Sequence, residues 1–388
     1  MNVLVVLMAD VDVPHGYTGH VQHIIETLRR AGHSVRVVGY SSTHPRRNAT
    51  EVIAPVSGWA TPFNVIRMAA RELLQRKTDA AVITSVGAAY NVLLVALCKI
   101  AGVKILYDCH DPIVESLQIS YRDRPAFGFL VRLLRFTDFL FDRLASATFV
   151  VSPGMAKMMR ARGWRSTMHY FYNTHSAIAF ATGQISPAKL EVPDDSVTVI
   201  VYEGGLQRHV RGIEEQMEAC AYAIARGARI MLWLIGNGEP AYFRELAGRL
   251  GLENHVRIDD SVDAATLSAI LHRADVAVWN GIVVGLPSKV FDYVAHGIPI
   301  LSRNDDSDVN AMCAEFVTIY GSSAEELGQA FLKFWRREAT ERPLKSRRTT
   351  RGHELISRLH RESEENLLGI FNRIALAKAA KTQTASEP

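Results

Sequence analysis

The sequence predicts an α/β protein of two doubly wound, parallel-sheet domains facing a central cleft. Three observations carry that expectation. Short apolar β-rich runs alternate with amphipathic helical stretches from the first residues onward, the pattern of a parallel sheet covered on both faces. The alternation breaks over residues 176–196, which hold Gly183, Pro187, Pro193 and the polar Asp194-Asp195-Ser196, and then restarts in the same form. The 388 residues suit two domains, each long enough to bury its own core. The expected division is residues 1–175, a linker over 176–196, residues 197–376 and a disordered tail over 377–388.

The elements follow in order. Residues 3–7 form a continuous apolar strand; lacking a basic segment before it, the N-terminus reads as a buried strand and not a signal peptide. A Gly-bearing loop, residues 14–19, leads to a helix over 20–30 with Val21, Ile24, Ile25 and Leu28 on one face, stopped by Gly32. Strands are expected at 34–38, 80–86, 104–107 and 147–151. Residues 80–98 carry no charge, close to the about 20 needed to cross a bilayer. Thr84, Ser85, Gly87 and Asn91 make a strand, a polar turn and a helix over 89–100 the better account. After the linker, strands are expected at 197–202, 230–235, 255–258, 276–279 and 299–302, with helices at 212–225 and 289–296. Residues 336–351, dense in Lys and Arg, read as a solvated loop or, second, as a phosphate or anionic-lipid contact; 363–376 read as a terminal helix.

Composition narrows the function. Apolar residues at 48% and charged residues at 22% exclude wholesale disorder. A net charge of +4 is too even for a dedicated nucleic-acid binder. Cys98, Cys109, Cys220 and Cys313 form no C-x-x-C pair, which excludes a disulfide scaffold and a zinc ribbon and suits a reducing cytoplasm.

Four segments carry candidate chemistry. Gly16 and Gly19 would let backbone N–H groups approach a phosphate at a helix N-terminus, or make a plain βα turn. His110, after a strand and beside Asp108 and Asp111, would face the cleft as a base or a hydroxyl ligand; alternatively it satisfies loop backbone, and the two Asp cap a turn. Gly204 and Gly205 end a strand and are followed by Arg208 and Arg211, whose guanidinium groups suit a diphosphate. Finally, Ser288 is placed to N-cap a helix whose first turn carries Lys289, a cation where the dipole favours an anion. Asp292 lies three residues on, on the same side, and suits a pair of sugar hydroxyls.

Taken in order, these segments, with Val151-Ser152-Pro153-Gly154-Met155 and Leu234-Ile235-Gly236-Asn237-Gly238, resemble a GT-B glycosyltransferase of family 4, the retaining, metal-independent nucleotide-sugar transferases. The resemblance runs from the first strand to about Arg303 and implies two Rossmann-like domains. It also implies a nucleotide-diphosphate sugar as donor, no cofactor and no metal. Arg208 or Arg211, with Lys289, would neutralise the diphosphate; Asp292 would take the place of the family's ribose-binding Glu; Gly236 and Gly238 would lie near the nucleotide. His110 would contact the donor sugar, and Gly16 and Gly19 the phosphates or the acceptor. The chain departs from the family at Val284, where many relatives carry a first Glu, and at Gly204-Gly205, where the family has Gly-Arg.

The implied acceptor is a glycan or a lipid-linked carrier. Phe127–Leu144 is rich in Phe and Leu with Arg132 and Arg135 interspersed and Arg122 and Arg124 before it. It reads either as a buried helix or as an amphipathic surface making a peripheral contact with the inner face of the plasma membrane. Two other functions share this architecture: a nucleotide-sugar epimerase, which would need a carboxylate cluster beyond Asp108 and Asp111, and a non-catalytic homologue that binds a nucleotide sugar or a partner protein.

Overall fold

The computed structural model describes residues 1–12, 16–75, 77–84, 88–110, 127–191, 193–194, 196–209, 211–280, 285–303 and 307–384. Pro14, His15, Ser85, Gly87, Asp111, Arg122, Arg124, Asp195 and Val284 lie outside them. The chain divides into two compact units, Met1–Asn173 together with the chain from His360 onward, and Thr174–Leu359.

The first unit runs β1 (Asn2–Asp10), α1 (Gly16–Arg30), β2 (Ser34–Ser41), β3 (Arg46–Arg47), β4 (Glu51–Pro55), α2 (Thr61–Gln75), β5 (Ala80–Thr84), α3 (Ala88–Ile100), β6 (Lys104–Cys109), α4 (Phe127–Leu144), β7 (Ala147–Val150), α5 (Pro153–Ala161) and β8 (Met168–Tyr170). Its sheet is ordered β3-β4-β2-β1-β5-β6-β7-β8 and is parallel except for β3 against β4. The continuous apolar run of β1 feeds both faces, as a strand buried on both sides must. Leu4, Val6 and Met8 join one core, and Val3, Val5 and Leu7 the other.

The second unit runs α6 (His175–Ala181), β9 (Thr198–Glu203), α7 (Ile213–Ile224), β10 (Ile230–Ile235), α8 (Pro240–Arg249), β11 (Val256–Asp259), α9 (Ala264–Arg273), β12 (Val276–Trp279), α10 (Ser288–Ala295), β13 (Ile300–Arg303), α11 (Asp308–Met312), β14 (Val317–Tyr320) and α12 (Ala324–Thr384). Its parallel sheet is ordered β11-β10-β9-β12-β13-β14.

Five expectations change, and one left open is narrowed. Helix α1 begins at Gly16, so Gly16 and Gly19 occupy its first turn and not a loop. The expected linker opens with α6, whose Ala177 and Phe180 are buried. Residues 336–351 are helical, part of α12. Within that stretch Lys345 Nζ donates to the carbonyls of His272 and Ala274 at 2.6 and 2.8 Å, capping the C-terminal end of α9, where a cation is favourable. From His360 the same helix belongs to the first unit, where Leu367, Ile370 and Phe371 join the core with Val3 and Val5, and Ser363 Oγ accepts from Tyr172 N at 2.9 Å. The helix also runs to Thr384, into the segment expected to be disordered. Last, α4 buries one face only: Val131, Leu134 and Phe141 are inside, and Phe129, Leu133, Phe136 and Phe139 are exposed.

Candidate functional site

The second sheet reverses its direction of growth between β9 and β12, and ligands of doubly wound sheets bind beyond the strand ends at such a point. Glu203 ends β9, and Asn280 directly follows β12. Asn280 is buried; its Nδ2 donates to Gly212 O at 2.7 Å and its Oδ1 accepts from Gln216 Nε2 at 2.9 Å. These bonds fix the start of α7, for which Gly212 is the N-cap with a left-handed φ of 64°.

The helix carrying the principal candidate starts one residue earlier than expected. Pro287, in an extended conformation, is the N-cap of α10 with no side-chain cap bond, and Ser288 is the first helical residue. Proline has no N–H and its ring fixes φ, so it serves as a stop for the preceding chain and Ser288 is carried inside. Lys289 is 7% exposed. Its Nζ donates to Glu203 O at 2.7 Å and lies 4.0 Å from the Tyr202 ring centroid and 5.6 Å from that of Trp279. Burial, reinforced by the Arg211 charge and opposed by Glu203, pulls the Lys289 pKa down to about 7. Burial likewise pushes Glu203 up to about 7, against the pull of Lys289. Two polar atoms here, Glu203 Oε2 and Arg211 Nε, are buried with no hydrogen-bond partner. A cationic ammonium, a guanidinium and two helix starts at one strand end make a place for an anion.

The two arginines separate. Arg208 is half-exposed, bonds Glu239 at 2.7 Å and stacks its guanidinium 4.3 Å from the Tyr242 ring centroid. Arg211 is the one whose charge reaches Lys289 and Tyr202.

Gly204, Gly205, Gly236 and Gly238 form two loops held against each other. Gly204 N donates to Ile235 O at 2.9 Å, Leu206 N to Asn237 O at 2.8 Å, and Glu239 N to Leu206 O at 2.8 Å. A Cβ on Gly236 would collide with the Gly204 carbonyl, and one on Gly238 with the Leu206 carbonyl. The glycines allow two backbones to touch. Gly204 has a further role, since a Cβ there would sit 2.9 Å from Lys289 Nζ.

Asp292 is 2% exposed, and its Oδ1 accepts from Ser176 Oγ of α6 at 2.7 Å. Burial and the nearby Glu203 raise its pKa well above the usual carboxylate range, against the Ser176 bond. Its neighbour Tyr293 accepts from Glu203 N at 2.9 Å, tying α10 to the end of β9.

In the first unit His110 directly follows β6 and is buried. Its ring meets those of Tyr17 and His20 edge-on, at centroid distances of 5.3 and 4.6 Å. Asp108 does not cap a turn: its Oδ1 lies 3.0 Å from His20 Nε2, both side chains fully buried. Gly19 stands between these aromatic partners on α1. Elsewhere in this unit His23, His360 and Glu364 bring their ligand atoms within 4.8 Å of one another. The Glu364 carboxylate there already takes Arg30 and, at 3.1 Å, Thr27 Oγ1, which satisfies its charge without an ion.

Sequence reasoning passed over Glu203, Asn280, Ser176 and His20. Glu203 and Asn280 had a signal, a polar residue closing an apolar strand in a doubly wound pattern. His20 also had one, because it stands four residues before Ile24 on the apolar stripe of α1. Ser176 had none.

The two parallel sheets, one in each compact unit, define a two-domain α/β fold. Residues 15–174 match the family described as a glycosyl transferase 4-like domain, and residues 197–336 the glycosyl transferases group 1. The chain belongs to the GT-B glycosyltransferases of family-4 type. Its structure resembles WaaG, a glycosyltransferase involved in lipopolysaccharide biosynthesis, with a TM-score of 0.65 and 14% identity over 96% of this chain and 99% of that one. Anabaena Alr3699/HepE in complex with UDP gives 0.63 and 14% over 98% and 100%. Sucrose-phosphate synthase from Thermosynechococcus elongatus gives 0.66 and 14% over 99% and 98%. At that identity the likeness speaks for the fold. None of the curated proteins matches the sequence.

Proposed function

We propose that the protein moves a sugar from a nucleotide-diphosphate sugar to an acceptor hydroxyl with retention and without a metal ion. The carrying observation is Lys289: a buried ammonium in the first turn of α10, held by a carbonyl and set over the Tyr202 ring. Breaking the anomeric bond leaves negative charge on the diphosphate. Preorganised cations and helix N-termini stabilise it, each such group lowering the barrier by about 3 kcal/mol. Lys289 and Arg211 are the proposed catalytic cations, with Gly204, Gly205, Gly236 and Gly238 shaping the donor loop. The unpartnered Arg211 Nε supports this assignment, since a diphosphate oxygen would accept from it. The acceptor hydroxyl attacks from the face the diphosphate leaves, so no side-chain nucleophile is required.

Asp292 is assigned to the ribose and His110 to the donor sugar on the family resemblance. The nucleotide class is supported by HepE, a fold relative described in complex with UDP and with UDP-glucose. The proposed acceptor is a glycan or lipid-linked carrier met in the cytoplasm, in surface polysaccharide or glycoconjugate synthesis. The test is a thermal-shift screen against UDP-, GDP-, ADP- and dTDP-sugars with a chelator present, followed by turnover with the donor that shifts. A selective rise with one donor supports the reading. A well-folded sample with no shift and no turnover would return the chain to the non-catalytic homologue.

A further inference from the structure

Helix α4 has an outer face with no partner among the described residues. Phe129, Leu133, Phe136 and Phe139 are 76, 40, 56 and 50% exposed. The first three follow the helical i, i+4, i+7 spacing and form a stripe, with Phe139 on its flank. The opposite face is fully used: Val131, Leu134 and Phe141 are buried, and Phe141 stacks on Tyr107 with centroids 4.2 Å apart. A folded chain gains nothing by exposing three phenylalanines and a leucine in a row, so such a patch marks an interaction surface.

The charges on the helix say what kind. Arg132, Arg135 and Arg143 are all exposed beside the stripe, and the Arg143 guanidinium lies 5.2 Å from the Phe139 ring centroid. The acids of the helix do not oppose them. Asp142 is buried and accepts from Arg165 N and Ser166 N at 2.8 and 2.7 Å. Asp138 is half-buried, and its burial pushes its pKa up to about 7. The outward face therefore offers large apolar groups and positive charge. α3, which packs on α4, does likewise with exposed Leu93, Ile100 and Lys99. Among the described residues no helix is long and apolar enough to cross a membrane, so a surface contact is the relevant geometry.

We infer that the outer face of α4 docks this protein on an anionic lipid bilayer, with Phe129, Leu133 and Phe136 entering the acyl boundary and Arg132, Arg135 and Arg143 meeting lipid phosphates. Aromatic and aliphatic side chains supply the burial, and long arginines keep their heads at the phosphate level. The inference goes beyond the transfer reaction and rests on that reading only for its purpose, which is to bring the donor site to a lipid-linked acceptor.

Co-sedimentation of the full chain with phosphatidylcholine vesicles, with and without phosphatidylglycerol, tests it in the absence of any donor. The expected result is binding to the anionic vesicles, weakened about tenfold or more by high salt or by omitting phosphatidylglycerol. Phe129→Ser/Phe136→Ser should reduce it by a similar factor while leaving the melting temperature and donor-induced shift unchanged, because both side chains are exposed. No binding to anionic vesicles at low salt overturns the inference. So does equal binding by the double variant, or a dimer in lipid-free solution that the double variant abolishes, which would give the face to a second copy. Since the assay needs no turnover, it can fail while the transferase reading stands, and the reverse.

Discussion

The Lys289 ammonium donates to the Glu203 main-chain carbonyl at 2.7 Å, joining the first turn of α10 to the end of a strand 86 residues earlier. The helix dipole and burial both disfavour a cation there. Such a group is destabilising in the empty site and is relieved by an anion. Lys289→Ala should therefore lower kcat by about 100- to 1000-fold, with the melting temperature of the unliganded protein unchanged or raised. Wild-type kcat in that variant would remove Lys289 from the mechanism.

The same residue sets a pH dependence. The folded pKa of Lys289, about 7, lies below its ordinary value near 10.5, so the folded empty site holds the proton less tightly than the unfolded chain, and Lys289 is partly charged near neutral pH. Folding therefore costs most below pH 7, where the amine is charged, and that cost fades as pH rises towards 10.5. A bound diphosphate favours the ammonium. Donor binding at pH 8 should thus take up a proton, and affinity should weaken as pH rises above 7. Calorimetry in buffers of different ionisation heat reads the uptake. If Lys289→Gln leaves it unchanged, the proton belongs to Glu203, which also titrates near 7.

Arg208 and Arg211, equivalent in the sequence, should differ in effect. Arg208→Ala removes a half-exposed ion pair with Glu239 and a contact with Tyr242, and should change stability by about 1 kcal/mol or less with kcat nearly unaltered. Arg211→Ala should lower kcat by tenfold or more. Steady-state kinetics of the pair decides between them, and the reverse order would move the diphosphate to Arg208.

Gly236→Ala should be strongly destabilising. Its φ is 146°, and its Cβ would enter the Gly204 carbonyl, so the two glycine loops must part. A loss of about 2 to 3 kcal/mol is expected in denaturant unfolding, together with weaker donor binding. A stable variant with normal binding would show that the loop contact is dispensable.

Asp292 is buried and bonds the half-buried Ser176, and removing one member leaves the other without that partner. Ser176→Ala should cost about 1 to 3 kcal/mol of stability and raise the Asp292 pKa further, since the serine bond is what lowers it. Donor affinity should fall in Asp292→Ala. Unchanged affinity with reduced stability would make the pair purely structural.

The architecture was legible because it is written in local pattern. Residues 3–7 and 230–235 are apolar on both alternations, and such runs fit only strands buried on two faces. Gly204, Gly236 and Gly238 were legible as loop residues for the same reason: glycine at a strand end is a local signal. By itself, then, the sequence determined the succession of strands and helices, the family, and Lys289 as a cation in a helix's first turn. Tertiary structure decided what no local window contains. It moved residues 360–384 back into the first unit, because Leu367, Ile370 and Phe371 find their apolar partners on β1. It separated Arg211 from Arg208, which depends on where Glu239 and Tyr242 fall. It turned Phe129, Leu133 and Phe136 outward, because the side of α4 that reaches the core is the one carrying Val131, Leu134 and Phe141, the last stacked on Tyr107.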